Sequence, residues 1–322
     1  MAAVPTPPVS LRSSRRRLSD RIGDTGLRVI TAVAAFGSVF LLGWIVWKVI
    51  NLAWPAIDKY GLAFITEDTW DPVKRTFGAL PFIYGTAVSS LIALVIATPL
   101  AIGIALWLTE LAPRGVRGIV GSLVEVLAAI PSVVLGLWGI LVLGPFLAQH
   151  LEPWLHEHLG FIPIFGPPSP TGTGLFTAGL ILTIMVVPIV ASICRELFLQ
   201  VPNELEEGAL ALGSTRWEMV RGVILPATRT GIAAAIILGL GRALGEAIAV
   251  TQVIGGGTQI SSNIFGPSDT LASKIAASYQ GADPIEQSSL LYLAAILLVI
   301  GLIANFGAQI IVRRFDPLRD AH

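Results

Sequence analysis

Charge is scarce in this sequence. Lys, Arg, Asp and Glu together make up 13% of its 322 residues, whereas hydrophobic residues make up 54%. An average soluble domain is about 25% charged, so the composition excludes an ordinary soluble domain and indicates a membrane protein. Basic and acidic residues each number 21, and this balance indicates neither a nucleic-acid partner nor an acidic solvating role.

Cysteine is almost absent. Cys194 is the only one, which excludes an intramolecular disulfide and a CxxC site for metal or redox chemistry; its apolar neighbours predict a packing role. The sequence also lacks GxxxxGK[ST] and GxSxG, so it has neither the loop that cradles nucleotide phosphates nor the nucleophile turn of a hydrolase. We therefore expect no catalytic residues and no cofactor in this chain.

Long apolar runs, by contrast, are abundant. About 20 mainly apolar residues cross the hydrocarbon core of a bilayer, and six stretches meet that length. They lie near residues 29–50, 82–108, 119–147, 174–198, 230–254 and 289–312. The sequence therefore predicts an all-α integral membrane protein with six transmembrane helices. The first run exceeds the apolar part of a signal peptide and lacks a small-x-small cleavage site, so we expect it to remain as an anchor.

Positive charge is distributed unevenly among the connectors. Arginine is concentrated in the two tails and in the second and fourth connectors, at Arg12, Arg15, Arg16, Arg17, Arg21, Arg28, Arg114, Arg117, Arg195, Arg216, Arg221, Arg229, Arg313, Arg314 and Arg319. The alternate connectors carry only Lys59, Lys74, Arg75 and Lys274. By the positive-inside rule, both termini are expected in the cytoplasm. We divide the chain into a basic tail at 1–28, a first helix and outer loop at 29–80, a five-helix core at 81–312 and a tail at 313–322.

The third connector, near 148–173, carries histidines without a metal-binding pattern. His156 and His158 are two residues apart and would point to different faces of a helix, and no further ligands stand at a suitable spacing. We expect a solvated loop and no metal site here.

The fourth connector carries a different signal, two predicted helix starts. Asn203 with Glu206, and then Thr215 with Glu218, have the spacing of capping boxes. Gly213 is placed to end the first helix in a left-handed conformation. The pattern predicts two short helices outside the membrane, joined by a sharp glycine turn.

Leu205, Ala209 and Leu212 fall on one face of the first of these helices. A helix pair lying at the lipid interface is one interpretation. The face is narrow, however, and has no basic rim, which favours docking into a groove of another protein.

The same connector resembles the EAA loop of ATP-binding-cassette (ABC) importer permeases, whose pattern is E-A-A, three residues, G, nine residues, I, one residue, L-P. The spacing matches throughout, with Gly208 replacing the first alanine and Val223 replacing the isoleucine. The matching residues are Glu207, Gly208, Ala209, Gly213, Val223, Leu225 and Pro226. The resemblance implies a type I importer (MetI-like) fold, in which the loop at 203–226 forms cytoplasmic coupling helices that dock onto a separate ATPase.

Two charges lie inside the fifth apolar stretch. Arg242 and Glu246 are four residues apart, so a continuous helix would place them on one face and allow them to pair. Charges at such depth are costly and normally face a protein interior or a water-filled path. A purely structural ion pair is the alternative, and Gly241, Gly245 and Ala249 indicate close helix packing beside it. The guanidinium would suit phosphate oxygens, with the carboxylate keeping an empty site neutral.

The stretches 241–247 and 129–139 resemble the signatures of phosphate-specific importer permeases of the PstC type. The resemblance implies that Arg242 and Glu246 are pathway residues. It also implies a PstA-type permease partner, two PstB-type ATPase subunits that bind ATP and Mg, an extracytoplasmic phosphate-binding protein and a place in the bacterial inner membrane. Glu125 is a weaker pathway candidate, expected near the cytoplasmic end of the third helix, where it could meet Arg114 or Arg117. Pro131 is expected to kink that helix.

Two alternatives remain open at the level of sequence. One is an ABC permease for another oxyanion, such as phosphonate, sulfate or molybdate, because the EAA loop does not distinguish these substrates. The other is a secondary anion transporter, in which the charged pair would bind anion and proton. Such carriers often contain internal repeats, and we find none in this sequence.

Overall fold

The computed structural model describes residues 14–314, so the predicted tails at 1–28 and 313–322 lie partly outside it. A short antiparallel hairpin, β1 (Trp70–Asp71) and β2 (Thr76–Phe77), pairs Trp70 with Phe77. The helices are α1 (Ser14–Tyr60), α2 (Ala63–Thr66), α3 (Leu80–Leu111), α4 (Arg114–Ala129), α5 (Ser132–Leu159), α6 (Leu175–Leu199), α7 (Asn203–Ala211), α8 (Arg216–Gly245), α9 (Ile248–Val253), α10 (Leu271–Ser278) and α11 (Pro284–Arg314).

Six helices of the described region are long and apolar enough to cross a membrane: α1, α3, α5, α6, α8 and α11. This confirms the predicted six-helix, all-α membrane architecture. Short turns of π-helix interrupt several of them, at Trp107–Leu111 in α3 and Val220–Ile224 in α8 among others. In such a turn a backbone N–H reaches back five residues instead of four, which leaves local gaps in the helical ladder.

The chain forms two compact units, Met1–Asn51 and Leu52–His322. In the first unit, α1 exposes large apolar side chains from Leu27 to Ile50. The rings of Trp44 and Trp47 are 5.1 Å apart, and the Lys48 amine lies 5.5 Å and 5.4 Å from their centroids. Tryptophan beside lysine is typical of a membrane–water interface.

In the second unit, α6 is the central helix and packs against α3 and α8. Ala93, Ala97, Ala101 and Ala105 recur every four residues on α3 and are fully buried. They belong to one apolar cluster with a row of branched side chains on α6. Small side chains at this spacing let two helices approach closely, which compensates for the weak hydrophobic drive between helices in lipid. Cys194 is fully buried in the same cluster, so its predicted packing role is confirmed.

The third predicted span is wrong as a single helix at 119–147. Ile130 and Pro131 have extended backbones, with ψ of 126° and 136°, and separate α4 from α5. Proline has no N–H to donate and disfavours helical geometry in the residue before it. The membrane-crossing helix is α5, which continues to Leu159. His150, His156 and His158 therefore lie on α5, although a loop was predicted there.

A second apolar cluster lies at the hairpin end of this unit. Phe64 stacks on Tyr292 with centroids 4.5 Å apart, and Trp70 packs edge-on against Phe82. The Trp70 indole donates to a Glu286 carboxylate oxygen at 3.2 Å. This bond satisfies the buried N–H, as a buried tryptophan requires. The hairpin is thereby held to the start of α11.

The segment between α9 and α10 closes onto the start of α3. Gly255 and Gly256 turn the chain with φ of 90° and 73°. Asp269 is 5% exposed, and its carboxylate accepts a 2.5 Å bond from Ser273 Oγ. Burial raises the pKa of Asp269 despite that bond. Two residues beyond Asp269, the amide of Leu271 donates to Thr86 Oγ1 at 2.9 Å, so buried polar contacts hold this segment against α3.

Gly136→Ala is expected to lower the thermal stability of the purified protein. A Cβ at Gly136 would lie 2.8 Å from the Cα and 3.0 Å from the carbonyl oxygen of Ala249 in α9. Backbone atoms cannot move aside as a flexible side chain can, so we expect a loss of about 1–3 kcal/mol. The matched control is Gly103→Ala in α3, where the added Cβ meets nothing within 4 Å. Equal midpoints for the two variants in detergent would contradict this packing argument.

Candidate functional site

The charged pair lies where the fifth span ends. The prediction of a continuous helix from 230 to 254 is wrong at both ends, because α8 runs from Arg216 to Gly245. Glu246 has an extended backbone, with φ of −74° and ψ of 117°, and α9 begins at Ile248. A Glu246 carboxylate oxygen accepts from the Ala249 amide at 3.3 Å. This bond satisfies one of the free N–H groups at the start of α9.

Arg242 and Glu246 nevertheless meet across the helix end. Arg242 Nη2 lies 3.8 Å from Glu246 Oε2, and the two side chains are 43% and 9% exposed. The carboxylate is thus enclosed by protein while the guanidinium remains half open. An arginine has five N–H donors, and one carboxylate contact at 3.8 Å leaves most of them free for a further acceptor.

A cavity of about 680 Å³ opens beside this arginine, between α6, α8 and α11. Its walls are mainly apolar, and small residues such as Gly241 and Gly301 widen it. Among the residues described as lining it, Arg242 is the only charged one; Asn305 and Gln309 of α11 add polar groups. A cation in apolar surroundings attracts an anion more strongly than it would in water, so this wall suits a desolvated anion.

The break before α5 lies in the same part of the fold. α9 packs against the first turns of α5, where Gly136 allows the close approach of Ala249. The Gln252 side chain of α9 extends toward Val133 O at 3.5 Å. The starts of α5 and α9, each of which follows a break in the helix, therefore pack together at Ala249, three residues beyond Glu246. Helices interrupted in this way are a common means of placing backbone dipoles and charges at a transport site.

At the other end of α8, the glycine turn forms as predicted. Gly213 has φ of 89° and donates to Leu210 O at 3.0 Å, while Ser214 N donates to Ala209 O at 3.3 Å. These two bonds define a Schellman motif at the end of α7. Thr215 and Glu218 form the predicted capping box.

Two details of this connector differ from prediction. Asn203 is the first residue of α7 and its side chain forms no cap, because the N-cap position is Pro202. The first capping box is therefore wrong, although the helix begins where expected. The second helix is not a separate short one, because it continues through a π turn into α8. The turn at Gly213 is thereby joined directly to a membrane-spanning helix.

The predicted coupling residues divide between core and surface. Glu207, Gly208 and Pro226 are exposed, whereas Ala209, Val223 and Leu225 pack against the main apolar cluster. Large apolar side chains on the same segment remain uncovered: Leu205 (52%), Leu210 (41%), Leu212 (91%) and Trp217 (66%). An uncovered apolar patch of this kind is typical of a protein-binding surface.

Comparison with known families identifies the chain at this point. Residues 97–317 match the family described as binding-protein-dependent transport system inner membrane component. The match includes the charged pair, both helix breaks and the glycine turn. The chain belongs to this family of transport permeases.

Relatives of the permease align with 81–98% of its length. It is 41% identical to the phosphate transport system permease protein PstC of Haemophilus influenzae over 312 residues, which is 96% of this chain and 99% of that one. It is 41% identical to PstC of Mesorhizobium japonicum over 98% of each chain. The identity to PstC 1 of Mycobacterium tuberculosis is 40%, over 81% of this chain and 80% of that one. The permease is thus of the PstC type.

Solved structures support the same fold. A chain of the bacterial alginate ABC transporter, in complex with an alginate-bound periplasmic protein, superposes with a TM-score of 0.60 at 17% identity, over 91% of the permease and 96% of that chain. A chain of the MetNI methionine ABC transporter gives 0.51 at 20% identity, over 76% and 96%. The permease is a multi-pass membrane protein with the fold of ABC transporter permeases.

Glu125 of the permease is not among the residues that line the cavity beside Arg242. It is on α4 and its side chain is 65% exposed. The expected partners were Arg114 or Arg117, but Glu125 pairs with Arg195 of α6, whose Nη1 lies 3.5 Å from Glu125 Oε1. Sequence reasoning missed this pair because its members are 70 positions apart, a separation at which helical spacing carries no information.

Glu152 is another side chain that sequence reasoning missed. It is 1% exposed, and its Oε2 accepts from the Ser169 amide at 2.8 Å. The bond ties the segment after α5 back to the helix. The available signal was the presence of a glutamate in the histidine-rich stretch. A carboxylate that becomes buried needs a hydrogen-bond donor, which the Ser169 amide provides.

Proposed function

We propose that this permease is the transmembrane subunit of an ATP-driven importer that moves inorganic phosphate into the cytoplasm by alternating access. Similarity of about 40% over nearly the full length to proteins named phosphate transport system permease protein PstC carries the proposal. The half-open arginine beside an enclosed glutamate supports it independently. Binding and release of the anion, without bond making, is the task assigned to this chain.

In this proposal Arg242 receives the phosphate. Its planar fork can hold two oxygens at once, a geometry that lysine cannot reproduce. Glu246 holds the guanidinium in place and balances its charge when the site is empty. Because the groove around Arg242 is mainly apolar, the remaining donors to phosphate would come from a second permease of the PstA type facing it.

The segment at 203–226, with its exposed apolar side chains, is proposed as the coupling site. The spacing of its residues resembles the EAA loop, and its uncovered Leu212 and Trp217 suit a groove on an ATPase. Two PstB-type ATPase subunits would bind ATP and Mg, and a phosphate-binding protein would deliver substrate at the opposite face. By the positive-inside rule both termini lie in the cytoplasm, with the chain in the bacterial inner membrane.

The test is uptake into vesicles that contain the permease with its candidate partners. We expect phosphate uptake to require ATP and every partner, and to persist in excess sulfate. Competition by sulfate, phosphonate or molybdate as strong as that by phosphate would support the broader oxyanion importer. Uptake without ATP or the ATPase would instead support a secondary carrier and would refute the coupling assignment.

Glu125 is the weaker pathway candidate. Its side chain is exposed and paired with Arg195, and exposed pairs contribute about 0–1 kcal/mol. Glu125→Gln is therefore expected to lower phosphate uptake less than about fivefold. The matched control is Glu157→Gln on α5, a second exposed carboxylate outside the coupling segment. A loss to background in Glu125→Gln alone would place this carboxylate on the phosphate route.

A further inference from the structure

The carboxyl-terminal turn of α3 accepts hydrogen bonds from two arginines that belong to two different helices. Arg216 Nη1 donates to the backbone oxygen of Glu110 at 3.1 Å. Arg117 Nη2 donates to the backbone oxygen of the neighbouring Thr109. Both acceptors are main-chain carbonyls, so the contacts depend on the shape of the turn and not on the side chains at 109 and 110.

These carbonyls are free because the helix ends there. The last four carbonyls of a helix have no partner within it, and the negative end of the helix dipole favours cations. In α3 the final turn is a π turn, closed by a 2.7 Å bond from Ala112 N to Trp107 O. Thr109 O and Glu110 O are thus presented side by side to groups outside the helix.

The two arginines belong to elements with different roles. Arg216 is the first residue of α8 after the Thr215 cap and follows Gly213 by three positions. Arg117 is in the first turn of α4, the helix that leads to the Pro131 break and α5. α5 packs in turn against α9, directly after Glu246. A continuous series of contacts therefore runs from the glycine turn to the charged pair.

The Glu206 side chain of α7 lies near enough to this turn to be affected by the Glu110 charge. Burial and the nearby Glu110 charge raise the pKa of Glu206, so the two carboxylates are close enough to repel. The α3 turn is consequently surrounded by groups from α7, α8 and α4.

We propose that Arg216 and Arg117 are positioning residues that clamp the end of α3 between the coupling segment and α4. This rests on the proposed function. With the clamp closed, a displacement of α7 by the ATPase carries α4 with it and acts on the α4–α5 joint at Ile130 and Pro131. Without the clamp, the ATPase can still dock and hydrolyse ATP, but the displacement of α7 does not reach Ile130 and Pro131.

The first test compares uptake with hydrolysis in the assembled transporter. Arg216→Gln and Arg117→Gln are each expected to lower the phosphate imported per ATP hydrolysed by about tenfold, the equivalent of one charge-assisted hydrogen bond. Arg216→Lys should recover much of the ratio, because an ammonium can also donate to a carbonyl. An unchanged ratio in both glutamine variants would overturn the proposal.

Two control variants distinguish a clamp on the backbone from other causes. Glu110→Ala removes a side chain but keeps the accepting carbonyl, so the ratio should stay near wild type. Arg229→Gln removes an exposed arginine of α8 outside the coupling segment and should do the same. If Glu110→Ala lowered the ratio as much as Arg216→Gln, the linkage would be a side-chain ion pair and the backbone clamp would be wrong.

A distance measurement tests the clamp even where a variant transports poorly. Spin labels at Ala227→Cys and Leu123→Cys, both exposed, with Cys194→Ala, report the separation of α8, beyond the glycine turn, from α4. In the complex we expect one narrow distribution with and without a nonhydrolysable ATP analogue, and a broadened, nucleotide-dependent one in Arg216→Gln. Identical distributions in the two proteins would overturn the clamp. Absence of ATP-driven phosphate uptake by the wild-type complex would instead refute the proposed function.

Discussion

Arg242→Ala is expected to reduce ATP-driven phosphate uptake to background while the transporter still assembles. The guanidinium is 43% exposed beside a cavity of about 680 Å³, and on the proposed route it contributes two charged hydrogen bonds to phosphate. Loss of two such bonds corresponds to a fall of about 100-fold or more. Assembly should survive because the side chain is half open and removing it leaves no large buried void. Uptake and co-purification of the partner subunits are the two measurements.

Companion variants show whether the fork or only the charge matters. Arg242→Lys keeps the charge but loses the planar pair of donors, so uptake should recover only in part. Glu246→Gln should weaken uptake less than Arg242→Ala, because the amide can still accept from Ala249 N. The matched control is Arg229→Ala, an exposed arginine of the same helix, which should transport normally. Wild-type uptake by Arg242→Ala would remove this residue from the pathway.

Gly213→Val is expected to abolish uptake by a different route, through loss of the ATPase. Gly213 has φ of 89° and a Cβ there would meet nothing within 4 Å. The penalty is therefore one of backbone conformation alone, and it is greatest for a β-branched residue. Relief of that strain, about 1–3 kcal/mol, would open the Schellman turn and redirect α7 relative to α8. Co-purification of the ATPase and uptake should fall together.

A graded series at this glycine separates strain from bulk. Asparagine tolerates positive φ better than alanine, so activity should follow Gly, Asn, Ala and Val in decreasing order. The matched control is Gly208→Ala in α7, where the backbone is helical and the added methyl meets open space. It should bind the ATPase at least as well as wild type, since alanine favours the helix. Intact ATPase binding and uptake in Gly213→Val would end the coupling assignment.

Much of the candidate site could be predicted from residues that are close together in the sequence. The Gly213 turn and the Thr215–Glu218 box depend on residues within a few positions of one another, and both formed as predicted. Arg242 and Glu246 were conspicuous because charge inside an apolar stretch is rare. Their contact survives the helix end between them, since four residues keep the two side chains close even when the last turn unwinds.

The ends of the membrane-spanning helices were harder to predict. Hydropathy does not show where an apolar stretch stops being helical. A kink was predicted at Pro131, but not the full break of the helix at Ile130–Pro131, and the end of α8 at Gly245 was not predicted. The Asn203 box failed for a similar reason, because a proline took the capping position one residue earlier. In each case a single backbone feature outweighed a favourable pattern.

By itself, the sequence determined that this chain is a six-helix membrane protein, where its sharp turn lies, and which charges stand inside its apolar stretches. Composition and near-neighbour chemistry suffice for these, because a long apolar span in lipid satisfies its own backbone as a helix and a left-handed turn favours glycine. Only the tertiary structure decided that Glu125 pairs with Arg195, that Arg216 and Arg117 meet the carbonyls of α3, and that α9 packs on α5. Those contacts join residues far apart in the chain, and they form only once the helices have packed.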